Sequence, residues 1–129
     1  MGLVFVVMGL ALVQFMYFGI QVGGARGRFG IKAPAITGNE VFERYFRVQQ
    51  NTLELIVVFV PSLGMFATYI DPRWAAGLGL IYIVGRFLYA YSYVKDPAQR
   101  SAGFGLSVLP TAMLLLGGIV GAVRASLMG

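Results

Sequence analysis

Four apolar stretches of about 20 residues each follow one another along the chain, separated by short polar breaks, and about 20 residues is what a helix needs to cross a bilayer. The spacing predicts spans at about residues 3–22, 40–69, 74–94 and 103–127. The runs are continuous, without the alternation of a membrane-barrel strand. In the first, Gln14 and Gln21 are the only strongly polar side chains and share a helix face; core packing accounts for Gln14. Gly23-Gly24 is expected to end this helix, leaving Arg26 in a basic loop with Gly27, Gly30 and Pro34. The second helix is expected to start near Asn39, with Thr37-x-x-Glu40 as a capping box and Glu40 and Glu43 at the positive end of the dipole. It is longer than a bilayer requires, so its first turns protrude, and Pro61 predicts a kink. Asp71-Pro72 reads as an N-cap followed by a first-turn proline, which makes the second and third spans an antiparallel hairpin. Gly117-Gly118-x-x-Gly121 in the fourth span lets helices approach closely. The chain is therefore read as all-α, one four-helix membrane domain over residues 1–129.

The second span breaks its apolar pattern at helical spacing: Glu43, Arg47, Gln50 or Asn51, and Glu54 fall along one stripe. A charged side chain in hydrocarbon costs at least about 3 kcal/mol, so such residues face protein or a wet cavity and are functional candidates. Glu43 and Arg44, near the helix start, fit equally a headgroup-layer helix whose charges pair i to i+4. The third span has a second polar row, in which Arg86, Tyr89 and Tyr93 share one face. Tyrosines at a span's end also suit an interfacial aromatic belt, the simpler account for Tyr91.

Composition agrees with a membrane protein: 58% of residues are hydrophobic, 12% are charged, and the mean hydropathy is +0.78. The net charge of +5 does not point to nucleic acid. Arg26, Arg28, Lys32, Arg44 and Arg47 lie between the first span and the upper second, and Lys95 and Arg100 follow the third. With four spans these regions share a side, which the positive-inside rule makes cytoplasmic. The first span lacks the basic start of a secretory signal. Cysteine and histidine are both absent, which excludes disulfides, a cysteine nucleophile, imidazole catalysis and most zinc or haem ligation. No metal site is expected. Chemistry must fall to Arg, Tyr, Glu, Asn or a bound co-substrate.

Arg26, Arg47, Arg86 and Arg100 supply four guanidiniums toward one membrane face, and Gln49, Asn51, Glu54, Tyr89 and Tyr93 add directional groups. Guanidiniums with few acids nearby suit an anionic ligand, and Glu54 suits an amine. A small zwitterion with more than one carboxylate fits this set; a lipid headgroup phosphate fits it less specifically. Gln49 and Asn51 are about 200° apart around a helix and cannot both face one cleft within a subunit, which suggests a site between subunits.

Phe42-Glu43-Arg44-x-x-Arg47-x-x-x-Asn51-x-x-Glu54, with Arg26 before it and Arg86-x-x-Tyr89-x-x-x-Tyr93 after, closely resembles the membrane-associated proteins in eicosanoid and glutathione metabolism, the MAPEG family. The resemblance extends over essentially the whole chain and is strongest to the branch of microsomal glutathione transferases 2/3 and leukotriene-C synthase. It implies a homotrimer that binds glutathione between subunits near the cytoplasmic side. By position, Arg47, Asn51, Glu54, Tyr89 and Tyr93 would hold the tripeptide, Arg26 and Gln49 would come from the neighbouring subunit, and Arg86 would support the pocket. Arg100 would match the arginine that stabilises the glutathione thiolate. Leu55 stands where related enzymes can carry a tyrosine, and Gly27 follows Arg26 where leukotriene-C synthase has a second arginine.

The expected function is a membrane-bound glutathione transferase or glutathione-dependent peroxidase acting on lipophilic electrophiles or lipid hydroperoxides that arrive through the membrane lipid. A non-catalytic lipid-binding scaffold resembling the 5-lipoxygenase-activating protein is the alternative. No internal repeat or broken-helix pattern suggests a transporter.

Overall fold

In hydrocarbon every backbone N–H and C=O must be satisfied within its own segment, and each apolar stretch accordingly folds as one unbroken helix. In the computed structural model, which describes residues 1–129, these are α1 (Gly2–Phe29), α2 (Glu40–Tyr69), α3 (Pro72–Lys95) and α4 (Ser101–Met128), with a 3-10 turn at Pro97–Gln99. All four are long and apolar enough to cross a membrane.

The helix ends correct two expectations. α1 does not stop at Gly23-Gly24 but continues to Phe29, so Arg26 and Arg28 lie in its last turn rather than in a loop. Glycine in a helix interior costs only about 1 kcal/mol, whereas Gly30 can take the left-handed conformation (φ 68°) that a helix end needs. The Ile31 N–H then bonds the Arg26 carbonyl at 3.0 Å, closing a Schellman end. Nor does the Thr37–Glu40 capping box form. Asn39 is the N-cap of α2, its Oδ1 accepting from the Val41 and Phe42 N–H groups at 2.9 and 3.0 Å. Glu40 pairs instead with Arg44, at 2.8 Å, and Glu43 Oε2 accepts the Gly38 N–H at 3.3 Å. Those two acids and Arg44 thus have structural roles. At the other end of the hairpin, Asp71 caps α3 as expected.

α2 and α3 form the middle of the bundle, and α1 and α4 each pack against both. The main core joins Val7 and Ala11 of α1, Phe59 and Leu63 of α2, Ala75 and Tyr82 of α3, and Leu114 of α4. The Phe59 and Tyr82 rings stack at 3.8 Å. Toward the basic end a smaller cluster takes over, made of Phe18, Val48, Tyr89 and Ala90. The outward faces are lined with exposed apolar side chains such as Val13, Met16, Ile20, Val57 and Leu109, the surface a bilayer covers. Gly117, Gly118 and Gly121 face Phe66, Met65, Tyr69 and Ile70 so closely that an added Cβ would collide, which is why α4 is glycine-rich against α2.

Candidate functional site

Arg86 organises the polar interior. It lies on α3 with no exposed surface, at a depth where a bare guanidinium would cost several kcal/mol. α2 supplies its partners: Nη2 donates to Asn51 Oδ1 and to Thr52 Oγ1, both at 2.8 Å. Thr52 in turn donates to the Val48 carbonyl, which leaves its lone pairs for the arginine. The guanidinium carbon sits 4.4 Å from the centre of the Tyr89 ring, a cation–π contact. Tyr89 stacks on Tyr93 at 5.5 Å, so the i, i+3, i+7 row of α3 forms one surface. Arg86 Nε and Nη1 and the Tyr82 hydroxyl are buried without a protein partner.

α4 closes the site through Gly103. A Cβ there would run into the Tyr89 backbone, so only glycine lets α4 begin against this turn of α3. Arg100 precedes Gly103 by three residues. It is held at the start of α4 by the turn that Asp96 caps (Asp96 Oδ1 accepting from Ala98 N–H, 3.1 Å) and by its own bond to the Pro97 carbonyl at 3.1 Å. The Phe104 ring of α4 lies 6.3 Å from the Tyr89 ring, which sets the start of α4 beside this phenol.

Of the residues expected to act together, the structure gathers Asn51, Arg86, Tyr89 and Tyr93, with Arg100 three residues before the approach of Gly103 to the Tyr89 backbone. Arg47 and Glu54 project outward from α2, exposed and without an ion pair. Arg26 and Gln49 lie elsewhere. Arg26 donates to the Ala35 carbonyl at 2.6 Å and covers the Phe42 ring at 5.0 Å. Gln49 lies against Gly19 of α1, where an added Cβ would come within 2.9 Å of its Nε2. Leu55, beside Glu54, packs against the main core.

Sequence reasoning missed Thr52 and Tyr82. Tyr82 sits four residues before Arg86 and so extends the same face, a signal the spacing contained. Thr52 had none, because its hydroxyl matters only once Arg86 of another helix lies opposite.

The MAPEG family model matches residues 4–120. The chain belongs to the MAPEG family. Human microsomal glutathione S-transferase 2 is 41% identical over 118 residues, covering 92% of this chain and 80% of its own length. An uncharacterized Synechocystis protein is 44% identical over 111 residues, 86% of this chain and 81% of the other. Guinea pig (Cavia porcellus) leukotriene C4 synthase is 31% identical over 106 residues, 82% of this chain and 71% of the synthase. With four bilayer-length helices and this kinship, this MAPEG protein is a multi-pass integral membrane protein.

Proposed function

We propose that this MAPEG protein is a glutathione transferase, a homotrimer that binds glutathione between subunits near the cytoplasmic side. One observation carries the reading: a single stripe of α2 is half buried and half bare. Asn51 is tied to the buried Arg86, while Arg47 and Glu54 on the same stripe stand exposed and unpaired. Such a row suits a zwitterion. Arg47 takes a carboxylate, Glu54 the amine, and Asn51 with the two tyrosines the amide groups between.

A bound tripeptide would be open to lipid unless another subunit covered it. Arg26 and Gln49 lie on the α1 side of the subunit, away from Arg86, and a neighbouring copy is the source that brings them to the ligand. Arg100, at the edge of the tyrosine row, is the cation that would favour the thiolate over the thiol. The thiolate sulfur then bonds the electrophilic carbon of a lipophilic substrate, and the leaving group departs with its electron pair. With a lipid hydroperoxide the same thiolate attacks the distal peroxide oxygen and releases an alcohol; the resulting sulfenic acid condenses with a second glutathione to give disulfide and water. The names of the relatives, glutathione transferases and leukotriene C4 synthase, support a glutathione co-substrate.

The direct test is equilibrium binding of glutathione to the purified protein, followed by conjugation to a chlorodinitrobenzene acceptor. Saturable binding with turnover is expected. Saturable binding of lipids without any glutathione binding would replace this reading with the scaffold alternative.

A further inference from the structure

A groove on the opposite face of α3 from Tyr89 and Tyr93 has a graded chemistry of its own. Its deep part is a cleft of about 540 Å³ between α1 and α3. The walls are aromatic: the Tyr17 and Phe87 rings meet edge to face at 6.5 Å, Phe18 and Phe87 at 6.1 Å, and Tyr91 stands 70% exposed on the far side. One turn nearer the basic end the lining becomes polar but neutral, where Gln21 Nε2 donates to the Tyr17 hydroxyl at 3.2 Å and Tyr45 reaches over from α2. Lys95 closes this cleft, and Gln21 and Tyr45 continue into a second one, of about 310 Å³, that ends at Arg28. Arg28 is held there over the Tyr45 ring at 5.6 Å. Two acids lie near this rim: Glu40, paired with Arg44, whose guanidinium bonds the Val94 and Lys95 carbonyls, and Asp96, which follows Lys95 and accepts the Ala98 N–H. Against them stand Arg28, Arg44 and Lys95. The rim is therefore net positive.

From Tyr17 to Arg28 is about 16 Å along α1 at 1.5 Å per residue. Over that distance the groove runs apolar, then neutral hydrogen-bonding, then cationic. This is the order of an acyl chain, a glycerol ester and a phosphate, at the matching scale. We propose that this groove is a specific site for an anionic phospholipid, its chain against Phe87 and Tyr91 and its phosphate between Lys95 and Arg28. Tyr17, Gln21 and Arg28 lie on the face of α1 roughly 170° from Arg26 and Gly19, so the groove looks into lipid whichever copy covers the Arg26 side. Its existence does not depend on the glutathione reading.

Native mass spectrometry of the purified protein, titrated with dioleoyl phosphatidylglycerol or dioleoyl phosphatidylcholine, tests the assignment. Phosphatidylglycerol should bind more tightly, by roughly fivefold for each cation. The preference should vanish in Arg28→Gln/Lys95→Gln and survive in Arg124→Gln, which removes a charge at the far end of α4. Excess glycerophosphate should not displace the lipid. Equal affinity for the two lipids, a preference that survives the double substitution or is lost equally in Arg124→Gln, or displacement by glycerophosphate would each overturn the proposal.

Discussion

Arg86 and Thr52 show how much of this interior rests on single hydrogen bonds. Thr52→Val keeps the shape of the side chain and removes one of the two acceptors on a buried guanidinium. Leaving that donor unpaired costs about 1.5–3 kcal/mol. Thr68 makes the same bond to the carbonyl four residues back but is exposed, so Thr68→Val is the matched control. Thermal unfolding in one detergent should show a clear drop for Thr52→Val and almost none for Thr68→Val. Glu43 and Glu54 of α2 separate in the same way. Glu43 is occupied by the Gly38 N–H, whereas Glu54 is unpaired and exposed. Glu54→Gln should weaken glutathione binding about tenfold, the loss of one charge-assisted bond, and Glu43→Gln far less. Equal losses at the two positions would make Glu54 a structural residue. For Arg100 the readout is pH. A free thiol has a pKa of about 8.5, and a neighbouring cation lowers it. Arg100→Ala should leave glutathione affinity nearly intact and shift both the turnover profile and the thiolate absorbance titration of bound glutathione upward in pH. Superimposed titrations would end the assignment.

At the level of helices, the start of α4 is where geometry is least forgiving. Gly103 abuts the Tyr89 backbone, while Gly105 two residues on has open space beside it. Gly103→Ala must push α4 off α3 and carry Arg100 with it, so both stability and turnover should fall. Gly105→Ala should be neutral or up to about 1 kcal/mol stabilising, and parallel melting curves with single-turnover rates compare the two. The contrast also marks what could be read in advance. The four helices were legible because a bilayer demands uninterrupted apolar length, and the Arg86–Tyr89–Tyr93 face because a helix has a fixed period. The end of α1 was not, since Gly23-Gly24 and Gly30 look alike as letters and differ only in which one closes the Arg26 carbonyl. The capping of α2 failed for a similar reason. Thr37 and Asn39 both suit an N-cap, and competing local partners, Arg44 for Glu40 and the Gly38 N–H for Glu43, draw the acids away from the box. That Gly103 serves the site was invisible, because its reason is a backbone on another helix.

The residues proposed to hold glutathione make their contacts in different parts of the subunit. Arg47 and Glu54 project from one part of the surface, and Arg26 and Gln49 lie against α1 and the loop before α2. In the proposed trimer, a closed ring of identical subunits would set the second group of one copy against the first group of the next. The assembly should then be trimeric in mild detergent, and a monomer that binds glutathione with full affinity would contradict it. A mixing experiment is sharper, because it asks whether one site draws on two chains. At glutathione concentrations well below the Kd of the variants, trimers of Arg26→Ala subunits alone, or of Glu54→Gln subunits alone, contain no complete site and should have little activity. In trimers assembled from an equal mixture, a site is complete whenever its Glu54 comes from the first kind of subunit and its Arg26 from the second, which occurs at about one site in four. The mixture should therefore recover about a quarter of the wild-type turnover, with a matching quarter of the glutathione stoichiometry. If Arg26 and Glu54 served the same subunit's site, every site in the mixture would carry one lesion or the other, and mixing would restore nothing.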